Sequence, residues 1–226
     1  MSIKLAADER GFTLAELLVA SLVTMLVLGG AVTLTSQVQA GYRRQIEDAA
    51  AEQEGRYALE WVSRLIRGTG NNPYGLPAAP PAVQTGDCPA AGTAYSWLVM
   101  DPNGDGDNDD IRIQTDSNPP DGLLGGTLGN CTQANEDVTV SYNPGSLSIT
   151  FLDNNLGGAA SIRTDAVIDG LNFVYRDASH NATVVAANVV YVETQVRVRT
   201  RTVDAATGLP QTRTLRQEVR IRGRNF

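Results

Sequence analysis

The sequence predicts an α+β chain: one long N-terminal helix followed by a body of antiparallel strands. Three observations carry this. From Leu17 to Gln37 there is no charged residue. The next thirty residues are rich in helix formers and end at the stop signal Gly68-Thr69-Gly70-Asn71-Asn72-Pro73. Beyond them, short runs of alternating apolar and polar residues are separated by Gly, Pro, Asn and Asp.

Composition bounds the function. The chain has 226 residues, enough for one sizeable domain plus an anchor. With 42% hydrophobic and 19% charged residues it is a folded protein. Its 22 glycines and 10 prolines suit a turn-rich β body. A net charge of −7 argues against coating nucleic acid or an anionic membrane, so nucleic acid is not an expected partner. One histidine and two cysteines leave little material for metalloenzyme or Cys–His chemistry. His180, in the turn Asp177-Ala178-Ser179-His180-Asn181, could belong to a Ser–His–Asp set, but no nucleophile elbow or other catalytic motif accompanies it. No catalytic residue is assigned, and no enzyme activity is expected.

The polar leader MSIKLAADER precedes Gly11, and the uncharged run that follows is long enough to cross a bilayer as a helix of about 20 residues. Glu16 lies near the start of this apolar stretch, where a carboxylate is costly and signals a partner. A secretory signal peptide cut after Val38-Gln39-Ala40 fits poorly. Such a core runs about 7–15 residues behind a basic segment, whereas this one is longer and its leader nets zero charge. A plain single-pass anchor explains the length but not the position of Glu16.

The string Gly11-Phe12-Thr13-Leu14-Ala15-Glu16-Leu17-Leu18-Val19-Ala20 resembles the prepilin cleavage and methylation motif of the type IV pilus and type II secretion superfamily. The resemblance implies that a membrane aspartyl peptidase cuts between Gly11 and Phe12 and N-methylates Phe12. Glu16 then becomes the fifth residue of the mature chain, its carboxylate meeting the cationic amino group of a neighbouring subunit's Phe12. Opposite charges in a low-dielectric helix bundle attract strongly, and each alone is costly there, so the pair would set axial register. The implied partners are other pilins or pseudopilins, the prepilin peptidase and the inner-membrane assembly platform. The implied location is the bacterial inner membrane, with the body in the periplasm, and the cell surface after assembly.

The helix is expected from Phe12 to Arg67, about 80 Å at 1.5 Å per residue. Ala58, Trp61, Val62, Leu65 and Ile66 form an apolar stripe in its second half. Gly29-Gly30 would either permit local melting or aid close helix packing. The expected organisation is leader 1–11, membrane or filament-core helix 12–38, amphipathic helix 39–70 and β body 71–226. Within the body, strands are expected at Ala94–Met100, Ile111–Thr115, Val138–Tyr142, Leu147–Leu152, Leu171–Tyr175, Val189–Val203 and Thr212–Arg222. Helix followed by antiparallel sheet is also the order of the pilin fold. The segment Val167–Asp177 and the tail Val219–Phe226 look like the large PilW-like minor pilins and the J-type minor pseudopilins.

Three features of the body are candidate sites. Cys88 and Cys131 show no CxxC spacing; outside the cytoplasm they read as a disulfide, worth roughly 4 kcal/mol on a loop-entropy basis, against two unpaired buried thiols. Asp101, Asn103, Asp105, Asp107, Asp109 and Asp110 have the D-x-N-x-D-G-x-x-D spacing of a calcium loop, with Gly106 at the bend and Asp107 contributing its backbone carbonyl. Arg112 occupies the twelfth position, where an EF-hand has Glu, so the loop is not an EF-hand. Its alternatives are one structural Ca²⁺, completed by Asp110 or by a carboxylate from another segment, or a metal-free acidic Asx turn. Lastly, Arg197, Arg199 and Arg201 alternate with apolar residues, as do Arg216, Arg220 and Arg222, which puts each set on one face. Such a ladder reads as a docking face for an acidic neighbour or DNA, which would make the chain a tip adhesin or DNA-uptake pilin, or as a solvated face that discourages edge aggregation. No aromatic residue interleaves the arginines to support base stacking.

Overall fold

A computed structural model describes residues 12–75, 95–117, 120, 124, 134–204 and 207–223. Gly11, Cys88 and Cys131 fall outside the described residues, and with them the expected cleavage point and the expected disulfide. One helix, α1 (Leu14–Gly68), runs unbroken through Gly29-Gly30 and ends at the anticipated stop. By contacts the chain divides into Met1–Ile46 and Glu47–Phe226.

In the first unit, every described helical side chain is exposed, with Leu26 at 70% and Val32 at 68%. Nothing lies within 4 Å of where a Cβ would stand on Gly29 or Gly30. From Leu17 to Gln37 the helix carries no charge and is apolar all round instead of amphipathic, the pattern of a helix that needs lipid or other helices about it.

The second unit holds the body. Strands β1 (Leu98–Met100), β2 (Asp110–Gln114), β3 (Asp137–Asn143), β4 (Ser148–Asp153) and β5 (Ser161–Ile162) form one antiparallel sheet in chain order. Strands β6 (Ile168–Arg176), β7 (Tyr191–Val203) and β8 (Pro210–Arg220) form a second. Within each sheet every strand pairs with the next one along the chain, an antiparallel order that needs no crossover. All seven expected strands are present within a few residues of their expected bounds. The two-residue β5 and the division into two sheets are findings of the structure.

The helical residues Ala51, Gly55, Ala58, Leu59, Val62, Ser63 and Ile66 are buried. They recur every three or four positions and so make one face. They share a core with Ile111, Val138, Val140, Ile149, Phe173 and Val196, which come from both sheets. Trp61 and Leu65, expected in the stripe, flank this core and are partly buried. Trp61 meets Phe151 edge to face at 5.8 Å between centroids, and Arg163 lies over the same Phe151 ring at 4.6 Å.

Along β7 the buried residues Val192, Thr194, Val196, Val198 and Thr200 alternate with more exposed ones, as the pleat requires. The helix approaches this region so closely that a Cβ on Gly55 would stand 2.7 Å from both Val198 Cγ1 and Leu215 Cδ1. Carboxylates on the helix then hold the hairpin: Glu47 accepts the Thr202 N–H and hydroxyl, and Glu52 pairs with Arg213.

At the other end of the helix, the C-terminal segment seals the core. Arg222 N–H donates to Arg67 O, and Ile221 N–H donates to Val190 O. A Cβ on Gly223 would stand 2.4 Å from Asn71 N and 2.6 Å from Thr69 O. Both obstacles are backbone, so no rotamer change relieves them. Gly223→Ala is therefore expected to cost about 1–3 kcal/mol, as overpacking does, and to lower the melting temperature by several degrees. Unchanged thermal unfolding would show that the close approach is not kept in solution.

Candidate functional site

The helix begins with a reciprocal pair of hydrogen bonds. Thr13 N–H and Thr13 Oγ1–H both donate to Glu16 Oε2 at 2.9 Å, and Glu16 N–H donates back to Thr13 Oγ1 at 3.3 Å. This is a capping box: Thr13 is the cap, and Glu16 is the third helical residue. It satisfies amide groups that would otherwise be orphaned at the helix start, and it places a negative charge at the positive end of the helix dipole. The spacing Thr13-x-x-Glu16 is itself a readable signal, which the sequence reading absorbed into the cleavage motif. Phe12, immediately before the cap, is 87% exposed. So the carboxylate expected to work in assembly already has a partner within its own chain. Both donors are neutral, so these hydrogen bonds add no positive charge beside the carboxylate.

Residues 7–32 match the family model described as the prokaryotic N-terminal methylation motif. No curated protein matches the chain, and no solved structure matches it. The motif, followed by one apolar helix long enough to cross a membrane, supports a type IV pilin-like or pseudopilin protein. The α+β architecture, with that helix leading into antiparallel sheets, has the arrangement of the pilin fold.

The loop between β1 and β2, with Asp110 at the start of β2, carries the six residues expected to bind calcium. Asp101 Oδ1 accepts the N–H groups of Gly104 and Asp105, and its Oδ2 accepts that of Gly106. Asn103 Nδ2 donates to Asp105 Oδ2 at 2.9 Å, and Asp107 N–H donates to Asp105 Oδ1 at 2.9 Å. Asp110 Oδ2 accepts the Asn103 N–H at 3.2 Å. The carbonyl of Asn108 accepts from Phe173 N–H on β6, and that of Asp109 from Tyr142 N–H on β3, so the loop is pinned to both sheets. Among the described residues, no three His, Cys, Asp or Glu side chains stand together as a ready metal cage. Burial and then the charges of Asp105, Asp107 and Asp101 raise the Asp109 carboxyl above its ordinary range.

On the second sheet, the arginines stand beside acids. Arg197 Nε lies 2.7 Å from Asp169 Oδ2, Arg199 3.8 Å from Asp169 Oδ1, and Arg201 3.5 Å from Asp165 Oδ2. Arg216 pairs in register with Gln195 and Arg220 with Tyr191; Glu218 faces Glu193 between them. Among the described residues Arg216, Arg220 and Arg222 form no ion pair. The face is therefore of mixed charge, with Arg176 bridging Glu193 at 2.5 Å and Glu218 at 3.3 Å. Periodicity shows the arginines' common face but not Asp169 and Asp165, which arrive from β6 and from the turn before it. His180 Nδ1 sits 3.1 Å from Glu218 Oε1, and its ring stacks on Tyr191 at 4.2 Å. The histidine thus ties its turn, where its φ is +62°, to the edge of the sheet.

Proposed function

We propose that the chain is a minor pilin, cut by prepilin peptidase between Gly11 and Phe12, N-methylated on Phe12, and used in assembling or initiating a type IV pilus. The observation that carries this reading is the methylation motif at residues 7–32 at the head of an apolar helix whose side chains are left exposed. Burying such a surface is favourable by roughly 25 cal/mol per Å². Lipid covers it before assembly and the helices of neighbouring pilins cover it afterwards. Glu16 then accepts the Phe12 amino group of a neighbouring subunit. The chain's partners are other pilins of the filament, the prepilin peptidase and the inner-membrane assembly platform. Its body stands in the periplasm and then on the pilus. The size of that body, and the likeness of Val167–Asp177 and Val219–Phe226 to large minor pilins, favour a minor subunit over a major one.

The same motif serves pseudopilins of type II secretion, the second reading. A strain lacking the chain distinguishes the two when surface pili and secreted exoproteins are measured side by side. Lost pili with normal secretion is the expected result. Normal pili with lost secretion would overturn the pilus assignment in favour of a pseudopilin.

A further inference from the structure

We propose that the loop from Asp101 to Asp110 binds one structural calcium ion, closed at its far end by the buried carboxylate of Asp110. The sequence spacing alone does not carry this, because acidic turns without metal are common. The added observation lies beneath the loop. Asp110 is 1% exposed, and its Oδ1 has no hydrogen-bond partner, while its Oδ2 is turned to the loop by the Asn103 N–H. Tyr175, on β6, is 5% exposed, and its hydroxyl also has no partner. Burial, and then the charges of Asp110 and Asp101, raise the Tyr175 phenol above its ordinary range. A buried carboxylate oxygen without a partner is costly and calls for a ligand.

The charge balance favours a cation. Asp101, Asp105, Asp107, Asp109 and Asp110 lie within ten residues, and among the described residues none of them is in an ion pair. The nearest arginine in sequence, Arg112, is committed to Asp137. These five carboxylates repel one another. A hard dication relieves them together. Calcium takes six to eight oxygens in flexible geometry, which carboxylates, the Asn103 amide oxygen and the Asp107 carbonyl can supply; magnesium demands a stricter octahedron. Asp101 Oδ1 already accepts two backbone N–H bonds, but Asp101 Oδ2, both Asp105 oxygens and Asp110 Oδ2 accept one each and keep a second lone pair, and Asp110 Oδ1 accepts none. The cation would draw these oxygens together, so the site is completed by binding.

The test uses the full-length chain in detergent micelles, stripped with EGTA. Titration with calcium chloride should give one saturable heat, and saturating calcium should raise the melting temperature by about 5 °C or more relative to EGTA. Magnesium should give a much smaller shift. Asp105→Asn keeps the side chain's size and its acceptor oxygen while removing the charge; it should weaken calcium binding at least about tenfold and leave the melting temperature in EGTA no lower. Identical melting in calcium and EGTA with no binding heat would overturn the proposal. So would a calcium response that survives unchanged in both Asp105→Asn and Asp110→Asn, since the ion would then act elsewhere. An equal response to magnesium would overturn the calcium assignment.

Discussion

Asp137→Ala is expected to destabilise the body by about 3–5 kcal/mol, the cost of leaving one partner of a buried ion pair unmatched. Asp137 opens β3 and is fully buried. Its Oδ1 accepts Arg112 Nε and Asn154 Nδ2, both at 2.8 Å. Its Oδ2 accepts Arg112 Nη2 at 2.6 Å and Gln114 Nε2 at 2.8 Å. One carboxylate thus satisfies four donors from β2 and from the turn after β4. The Asp137 hydrogen bond is also the main influence raising the Arg112 pKa, against the burial that lowers it. With the carboxylate gone, a guanidinium that is only 27% exposed keeps its charge and loses its partner. The melting temperature should fall by roughly 10 °C. Asp137→Asn tests the charge separately: it retains one acceptor oxygen and should cost less than alanine. Replacing both ends, as in Arg112→Met with Asp137→Leu, should recover much of the loss, because two apolar groups leave nothing unpaired. A loss under about 1 kcal/mol for Asp137→Ala would mean that Arg112 reaches water once released, and that this network is not what joins β2 to β3.

That network also marks where sequence reading stops. The α+β order, the helix end at Gly68 and the alternation along β7 follow from local signals: a charge-free run, a Gly/Asn/Pro stop and a period of two. Local alternation does not say which strand neighbours which, so the division into two sheets, made between Ile162 and Ile168, leaves no signature of its own. Asp137 is a similar case. Beside Glu136 and Asn135 it looks like part of a polar turn, and only its pairing with Arg112, twenty-five residues earlier, makes it a core residue. The arginine face was legible by periodicity, while its neutralising partner Asp169 sits where the β6–β7 register shifts between Ile168 and Gly170. The N-terminal site is the opposite case. Both of its readings, Thr13-x-x-Glu16 as a cap and Glu16 as a lone anion in an apolar stretch, are written in consecutive residues.

Those two readings make different predictions for Glu16, and they can be separated. Glu16→Ala removes both the cap partner and the charge. It should still permit cleavage at Gly11-Phe12, seen as a shift in electrophoretic mobility, but should reduce the share of the chain recovered in sheared filaments at least about tenfold. Even about 1.4 kcal/mol lost from a subunit contact is a factor of ten in its equilibrium, and a charge pair in a low-dielectric bundle exceeds that easily. The capping contribution is smaller, about 1 kcal/mol, and acts within one chain. Glu16→Gln divides the effects, since glutamine serves in a capping box as glutamate does but carries no charge for a neighbour's amino group. If the charge pair sets register, Gln should fail in assembly as badly as Ala, although it preserves the hydrogen bonds with Thr13. If Gln assembles like the unaltered chain while Ala does not, the helix cap is the working part and the ion pair between subunits is wrong. If Ala also assembles normally, neither the cap nor the charge is needed, and filament packing must rest on the apolar surface alone.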